Sequence, residues 1–579
     1  MIDRNDNLKL PMSDRILEKF NFFELYPFDG GGNFITADIF KTIDDSRIAQ
    51  DILKGSLEQF GTLPELDFAQ FERWRSIEKS AWINRFYFIV PLAKYYCTTD
   101  DENIAKLVKD TMLYFIRNYL PPQTPEAIKA HLDYVYYIRD NDYNKNTYEE
   151  NQCSDTNVKY IWFDFQPAIR MIHFLYALHF IKKSKSLSDA EFNEIIAGIK
   201  AHARLIAISE SQFEKLKSPG NHQSLRGLAL LYAGSIFNDK FFLSEGIRIC
   251  KFHIENDYFS DGVLKEISPS YHVFETWHVR DAYILSQNYD FEVSLKHLET
   301  LVKASQFALS IQQPDGHLTV INDGYALYLP PFIESLPPAV FYENSNRTSD
   351  KSYYPDAQLA FYKDSEQYLC FDASLNSGEF SHYHAGKNSI TYICKEQPVL
   401  VDSGCCSYDD PDFFKYKRAQ AHSSMLVDGV GDGFFEGLYY CPHFAFPECR
   451  GWQENEISGR VKSSVPEWKD ICWERKLRIN PASIEIVDQV ENNSGIEKEF
   501  TFIFNFHPQI ECKIADIGEV LLFAPNGRFT LNLKTLQPFE LQEKRGQCFL
   551  NLKHKKNPQL HIKISAQQKF SLKTEIISQ

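Results

Sequence analysis

Histidine and carboxylate side chains crowd into three short pieces between Ser381 and Gly429: SHYHAGKNSI, PVLVDSG and AQAHSSMLVDG. They hold His382, His384, Asp402 and His422. Imidazole nitrogens joined by one carboxylate oxygen form a donor set suited to zinc. The spacing of His382 and His384 predicts two rings on one face of a strand. Asp402 closes the apolar run PVLV on a predicted neighbouring strand, and His422 opens another apolar run. One histidine of the pair can ligate a metal while the other faces a substrate.

A second set lies upstream in helical sequence. Asn221 and His222 follow the turn Ser218-Pro219-Gly220, and Tyr271 follows Ser268-Pro269-Ser270. Asn221 has two readings. It is a helix N-cap, or it joins His222 and the positive end of the helix in neutralising a bound carboxylate. His222 shares a helical face with Leu225, Ala229 and Tyr232, so the pattern turns it inward, toward a core or a cavity. Tyr271, one of 31 tyrosines, is structural unless a cation beside it fits the phenol for proton transfer.

Two kinds of element must position these residues. From about Ser13 to Leu309 the apolar residues recur every three or four positions, as in AIRMIHFLYALHFIKK and SLRGLALLYAGSIF. About ten to twelve such segments predict helical hairpins set in an arc or ring. From about Ala357 the period becomes two, in QLAFYKDSEQYLCFDAS, SITYICKEQPVLVDSG, SIEIVDQVENNSG, EFTFIFNFHP and RFTLNLK. That stretch predicts a large antiparallel β-sandwich. The Pro- and Gly-bearing segment QQPDGHLTVINDGYALYLPPFIESLPP reads as the bridge. The expected fold class is α+β multidomain, with a helical domain over residues 1–350 and a β-sandwich over 351–579.

Composition narrows the function. The 579 residues carry 62 basic and 78 acidic side chains, a formal charge of −16, which disfavours nucleic acid as a partner. A local basic cleft can still hold a polyanion, because screening confines charge effects to roughly 8 Å. Aromatic residues reach 15%, with 46 Phe, enough for a core and for stacking on sugar faces. The twelve cysteines follow no disulfide or metal spacing, which fits a reducing compartment. The polar start MIDRNDNLKLPMSDRIL and the lack of a long apolar run predict no membrane span. The expected location is cytoplasmic as the sequence stands, or periplasmic or secreted if a signal segment has been removed. No P-loop, GxSxG or HExxH motif occurs, and no carboxylate pair for glycoside hydrolysis stands out.

Taken together, NHQSLRG, EISPSYH, QQPDGHL and the ordered set SHYHAGKNSI, VLVDSG and KRAQAHSSMLVDG resemble the heparinase II/III-like polysaccharide lyases. The resemblance implies an N-terminal (α/α) toroid, incomplete as a ring, and a C-terminal β-sandwich. It also implies β-elimination on an acidic polysaccharide, glycosaminoglycan-like or alginate-like, at a uronate. Asn221 and His222 would neutralise the uronate carboxylate, His222 being also a candidate base. Tyr271 would be the general acid and often the base, with His382 as the catalytic histidine. His384, Asp402 and His422 would hold a metal, usually zinc, in a structural role, though another divalent ion would suit the same donors. Arg170 stands where relatives often carry an active-site arginine, and Tyr408 or Tyr416 where a further tyrosine lines the cleft. Gly386 and Ser423 depart from the Asp and Asn common at those places. The alternative is a hydrolytic or non-catalytic member serving surface-polysaccharide synthesis. The sequence leaves the oligomeric state open.

Overall fold

A computed structural model describes residue 10 and residues 45–55, 57, 61–69, 82–142, 161–344, 350–376, 382–406, 412–436, 441–550 and 553–579. The chain divides into two compact units that interleave in sequence. The first comprises Met1–Asp257, Phe274–Leu301 and Glu334–Pro338. The second comprises Tyr258–Val273, Val302–Ile333 and Ala339–Gln579. The second unit thus includes Tyr258–Val273 and Val302–Ile333, which lie upstream of residue 350.

The first unit is helical, as the three-to-four periodicity requires. Helix Asp189–Gln212 opens with a reciprocal capping box between Ser188 and Glu191 and buries Phe192, Ile195, Ile199, Ala203 and Ile206 along one stripe. Helices Gln166–Ile181 and Asn221–Phe237 are buried on nearly all sides, which places them at the centre of this unit. The second of these stops at Asn238, whose left-handed backbone returns its N–H to the Gly234 carbonyl. A small ribbon pairs β1 (Gly61–Thr62) with β2 (Glu65–Leu66).

The second unit is built on antiparallel sheets. A five-stranded meander runs through β3 (Lys351–Tyr354), β4 (Leu359–Lys363), β5 (Gln367–Asp372), β6 (Ser389–Cys394) and β7 (Gln397–Leu400). The remaining strands are β8 (Met425–Val427), β9 (Ala445–Cys449), β10 (Glu456–Ser463), β11 (Ile471–Asn480), β12 (Ser483–Asn492), β13 (Lys498–Asn505), β14 (Glu511–Asp516), β15 (Glu519–Ala524), β16 (Gly527–Thr535), β17 (Phe539–Leu550), β18 (Lys553–Ala566) and β19 (Phe570–Ser578). They form a four-stranded sheet, β17-β18-β13-β8, and an eight-stranded sheet, β14-β15-β16-β19-β12-β11-β10-β9.

One apolar core joins these three sheets. It takes Leu369, Phe371 and Ile390 from the meander, Phe500, Phe502, Phe504 and Ile562 from the four-stranded sheet, and Trp473, Ile486 and Leu531 from the eight-stranded one. The alternation in EFTFIFNF thus has a direct cause, since every second residue of β13 enters this core. Among the described residues no helix is long and apolar enough to cross a membrane.

Candidate active site and metal centre

The upstream segments of the second unit bring Tyr271 to the histidines. Pro269 starts helix Pro269–Tyr289, where a missing N–H is harmless, and Tyr271 lies in the first turn. Its ring stacks on His382 with centroids 3.9 Å apart and planes 16° from parallel. His382 Nδ1 donates to Asp323 Oδ2 at 2.9 Å, and its Nε2 meets Glu266 Oε2 at 3.1 Å. Burial disfavours a charged ring, but the hydrogen bonds and charges of Asp323 and Glu266 outweigh it and push the pKa up to about 9.

This shift has a testable sign. The folded pKa exceeds the ordinary 6.5, so the pairing adds stability that is full below about pH 6.5 and is lost as pH rises through about 9. Chemical denaturation at stepped pH is expected to show that decline in wild type and a flatter profile in His382→Gln. Identical profiles would count against the pairing.

Asp323 is the hub of the cluster, and sequence reasoning missed it. Fully buried, it gives one oxygen to His382 and the other to His384 Nε2 at 2.7 Å, with Lys417 Nζ at 3.3 Å. Its backbone N–H donates to the His382 carbonyl, and its own carbonyl accepts from Ser268 Oγ. The segment read as a bridge is therefore a wall of the site. Asn322 adds two contacts, accepting the His384 backbone N–H at 3.1 Å and donating to the Ile267 carbonyl at 2.7 Å. Ile267 is β-branched yet has φ of +50°, a strained backbone fixed between Glu266 and Ser268. Glu266 was also missed, although it stands inside the quoted EISPSYH.

The His-x-His pair lies on a loop, which corrects the strand expectation. Residues 382–388 precede β6, and left-handed backbone at Gly386 (φ +91°) and Asn388 (φ +60°) breaks the extended pattern. The Asp432 carboxylate accepts the N–H groups of Gly386 and Lys387 and pins the loop. A Cβ at 386 would lie 3.1 Å from the Cβ of His422, a tight contact, and the positive φ there favours glycine.

His384, Asp402 and His422 come together, each offering a ligand atom within 4.8 Å of the others. His384 Nε2–H is committed to Asp323, while Nδ1 is buried with no hydrogen-bond partner among the described residues. Burial, with Lys417 and His422 adding to it, lowers the His384 pKa to about 4, so the ring is neutral with its lone pair on Nδ1. His422 Nε2 donates to the Tyr416 carbonyl at 2.9 Å, and its Nδ1 faces Asp402 Oδ2 at 2.8 Å. Two imidazoles thus turn Nδ1 inward and anchor Nε2 on acceptors behind them. That is how metal-ligating histidines are held, and these residues fit a metal ion. Asp323, His384 and Cys405 form a second close group, but Lys417 already brings a positive charge to Asp323.

Asn221, His222 and Arg170 belong to the first unit, and Tyr416 to the second. Gly220 is the N-cap of helix Asn221–Phe237, so Asn221 is its first helical residue and the N-cap reading is corrected. His222 is less inward than expected, with its side chain 41% exposed. Its Nδ1 donates to Asp164 Oδ2 at 2.6 Å, and its ring lies 4.3 Å from that of Phe165. Arg170 does not line a cleft. It is buried between Phe115 and Trp162, and it donates to His202 Nε2 and to the carbonyls of Asn84 and Ile161. The Tyr416 phenol is buried against His554 Nδ1 at 2.7 Å. Tyr408 falls outside the described residues.

Comparison with known proteins identifies the family and the fold. Residues 60–346 match the family described as heparinase II/III N-terminus, and residues 346–568 match heparinase II/III-like, C-terminal. No curated protein matches. Among solved structures, a heparinase III superposes with a TM-score of 0.70 at 13% identity, covering 96% of this chain and 88% of the other. The heparan sulfate lyase HepC of Pedobacter heparinus gives 0.62 at 15% identity, covering 92% and 83%. A chondroitin AC lyase of Streptomyces coelicolor gives 0.53 at 8% identity, covering 92% and 78%.

Proposed function

The chain belongs to the heparinase II/III-like family of polysaccharide lyases, and on that premise we propose that it cleaves a uronate-containing glycosaminoglycan by β-elimination. The single observation that carries this reading is the stack of Tyr271 on His382, with His382 held between Asp323 and Glu266. The names of the structural neighbours, lyases of heparin-type and chondroitin-type chains, support the substrate class. We read the helical unit as an incomplete (α/α) toroid and the sheets as a β-sandwich.

The C5 proton of a uronate is weakly acidic while its carboxylate is ionised. Donors from Asn221, His222 and the first turn of their helix, which holds no acidic residue, would neutralise that carboxylate and favour the enolate-like transition state. His382 keeps both ring nitrogens against carboxylates, so it suits a fixed positive charge better than a base. That charge, stacked on the phenol, stabilises negative charge on the Tyr271 oxygen. Tyr271 as phenolate would take the C5 proton, and the phenol so formed would return it to O4 as the C4–O4 bond breaks. The products are an unsaturated uronate end and a new reducing end.

The test is incubation with heparosan, heparan sulfate, hyaluronan, chondroitin and alginate while following ultraviolet absorbance of the unsaturated product. Absorbance growing on at least one glycosaminoglycan is expected. Silence on all of them by metal-loaded protein would reject the lyase reading.

Zinc held by His384, Asp402 and His422 would be a structural cation that ties three loop segments together. Elemental analysis of purified protein is expected to find about one zinc per chain, and far less in His384→Ala or His422→Ala. Chelator is expected to lower the wild-type melting temperature. Metal content unchanged in both variants would move the site elsewhere.

A further inference from the structure

The helical unit carries a charged network behind His222 that no role above uses. Asp164 stands at its centre with a left-handed backbone, φ +57°. One carboxylate oxygen accepts from His222 Nδ1 at 2.6 Å, and the other accepts from Arg226 NH1 at 2.6 Å. Arg226 is buried and donates through Nε to Glu210. Glu210 also accepts from Gln223 Nε2 at 2.8 Å, and Gln223 in turn accepts the Lys217 backbone N–H at 3.1 Å. Helix Asp189–Gln212, the loop before Gly220 and the first turns of helix Asn221–Phe237 are thus fixed to one another through charged groups.

We propose that Asp164 is a positioning residue: it holds His222 in the tautomer with Nδ1–H turned inward and so directs Nε2 toward substrate. The proposal rests on the role given to His222 above. A carboxylate is acceptor-only, so the ring nitrogen facing it must carry the proton in either charge state of the imidazole. The other nitrogen then donates to a substrate carboxylate when the ring is an imidazolium, and accepts a proton when the ring is neutral. Arg226 serves the same end from behind, because its bond to the second oxygen stops the carboxylate from rotating away. The side chain of His222 is 41% exposed, with the Phe165 ring against it.

Asp164→Asn tests this without changing volume. An amide offers one acceptor oxygen where Asp164 meets two donors, so one of the two bonds is lost. In a double-mutant cycle, Asp164→Asn is expected to lower kcat about tenfold to a hundredfold, with KM changing far less. In a His222→Gln background the same change is expected to lower kcat less than about twofold, since there is no ring left to position. Imidazole nitrogen NMR of the full chain supplies a readout independent of turnover. Wild type is expected to show Nδ1 protonated at His222, and Asp164→Asn to show a mixture of tautomers. An equal loss of kcat in both backgrounds, or a wild-type ring protonated at Nε2 alone, would overturn the proposal. If no polymer is cleaved by wild type, the lyase reading fails by itself and the NMR result still decides whether Asp164 sets the tautomer.

Discussion

Tyr271→Phe is expected to lower kcat by about a thousandfold while polymer binding stays within about twofold. Phenylalanine keeps the stack on His382, so the fold around the ring has no reason to change. What disappears is one oxygen, the atom proposed both to take the C5 proton and to return it to O4. An interaction made only in the transition state shows in kcat and not in binding. Turnover followed by absorbance, alongside equilibrium binding of an uncleaved chain, separates the two quantities. A variant retaining a third of wild-type kcat would remove Tyr271 from the proton path.

The second large effect is on stability. Asp323→Asn is expected to cost about 3–5 kcal/mol, the range for breaking a buried ion pair by removing one partner. The Asp323 carboxylate is fully buried and faces His382, His384 and Lys417. Burial would raise its pKa, but Lys417 and both histidines override that and hold it well below the usual carboxylate range. An amide of the same shape puts an NH2 group against one of these donors and leaves Lys417 and a charged His382 without their counter-ion. Glu266 compensates only the far side of His382. Denaturant unfolding of the two proteins measures the difference, and a loss below about 1 kcal/mol would mean that the cluster relaxes or is hydrated.

The grouping of His384, Asp402 and His422 was partly legible because its parts are local signals. A histidine before an apolar run and an aspartate after one mark the ends of β-structure, and Asp402 and His422 sit at such ends. The same logic, applied to HLTVIND, points to Asn322 and Asp323, where the Pro and Gly around them argued for a linker instead. Their partners are remote: Asp323 and Glu266 lie 59 and 116 residues from His382. No periodicity carries information over such a span. Arg170 shows the opposite failure. Its place in an apolar helix was visible, but a guanidinium serving carbonyls in a core looks, in sequence, like one serving a substrate. The His-x-His spacing misled because a positive-φ glycine two residues later turns a predicted strand into a loop. The helical and β halves were read correctly from their periods, whereas the packing of 258–273 and 302–333 with the sheets depends on tertiary contacts alone.

The shared carboxylate of Asp323 makes the two histidines thermodynamically linked. One oxygen supports the ring stacked on Tyr271 and the other supports His384, which groups with Asp402 and His422. Whatever draws electron density from His384 strengthens its N–H donation and leaves less basicity on Asp323 for His382. Coupling of this kind is reciprocal, so a change at either ring must alter the free energy of the other by the same amount. If His384 binds a metal, the proton affinity of His382 and the metal-binding isotherm are therefore expected to depend on one another.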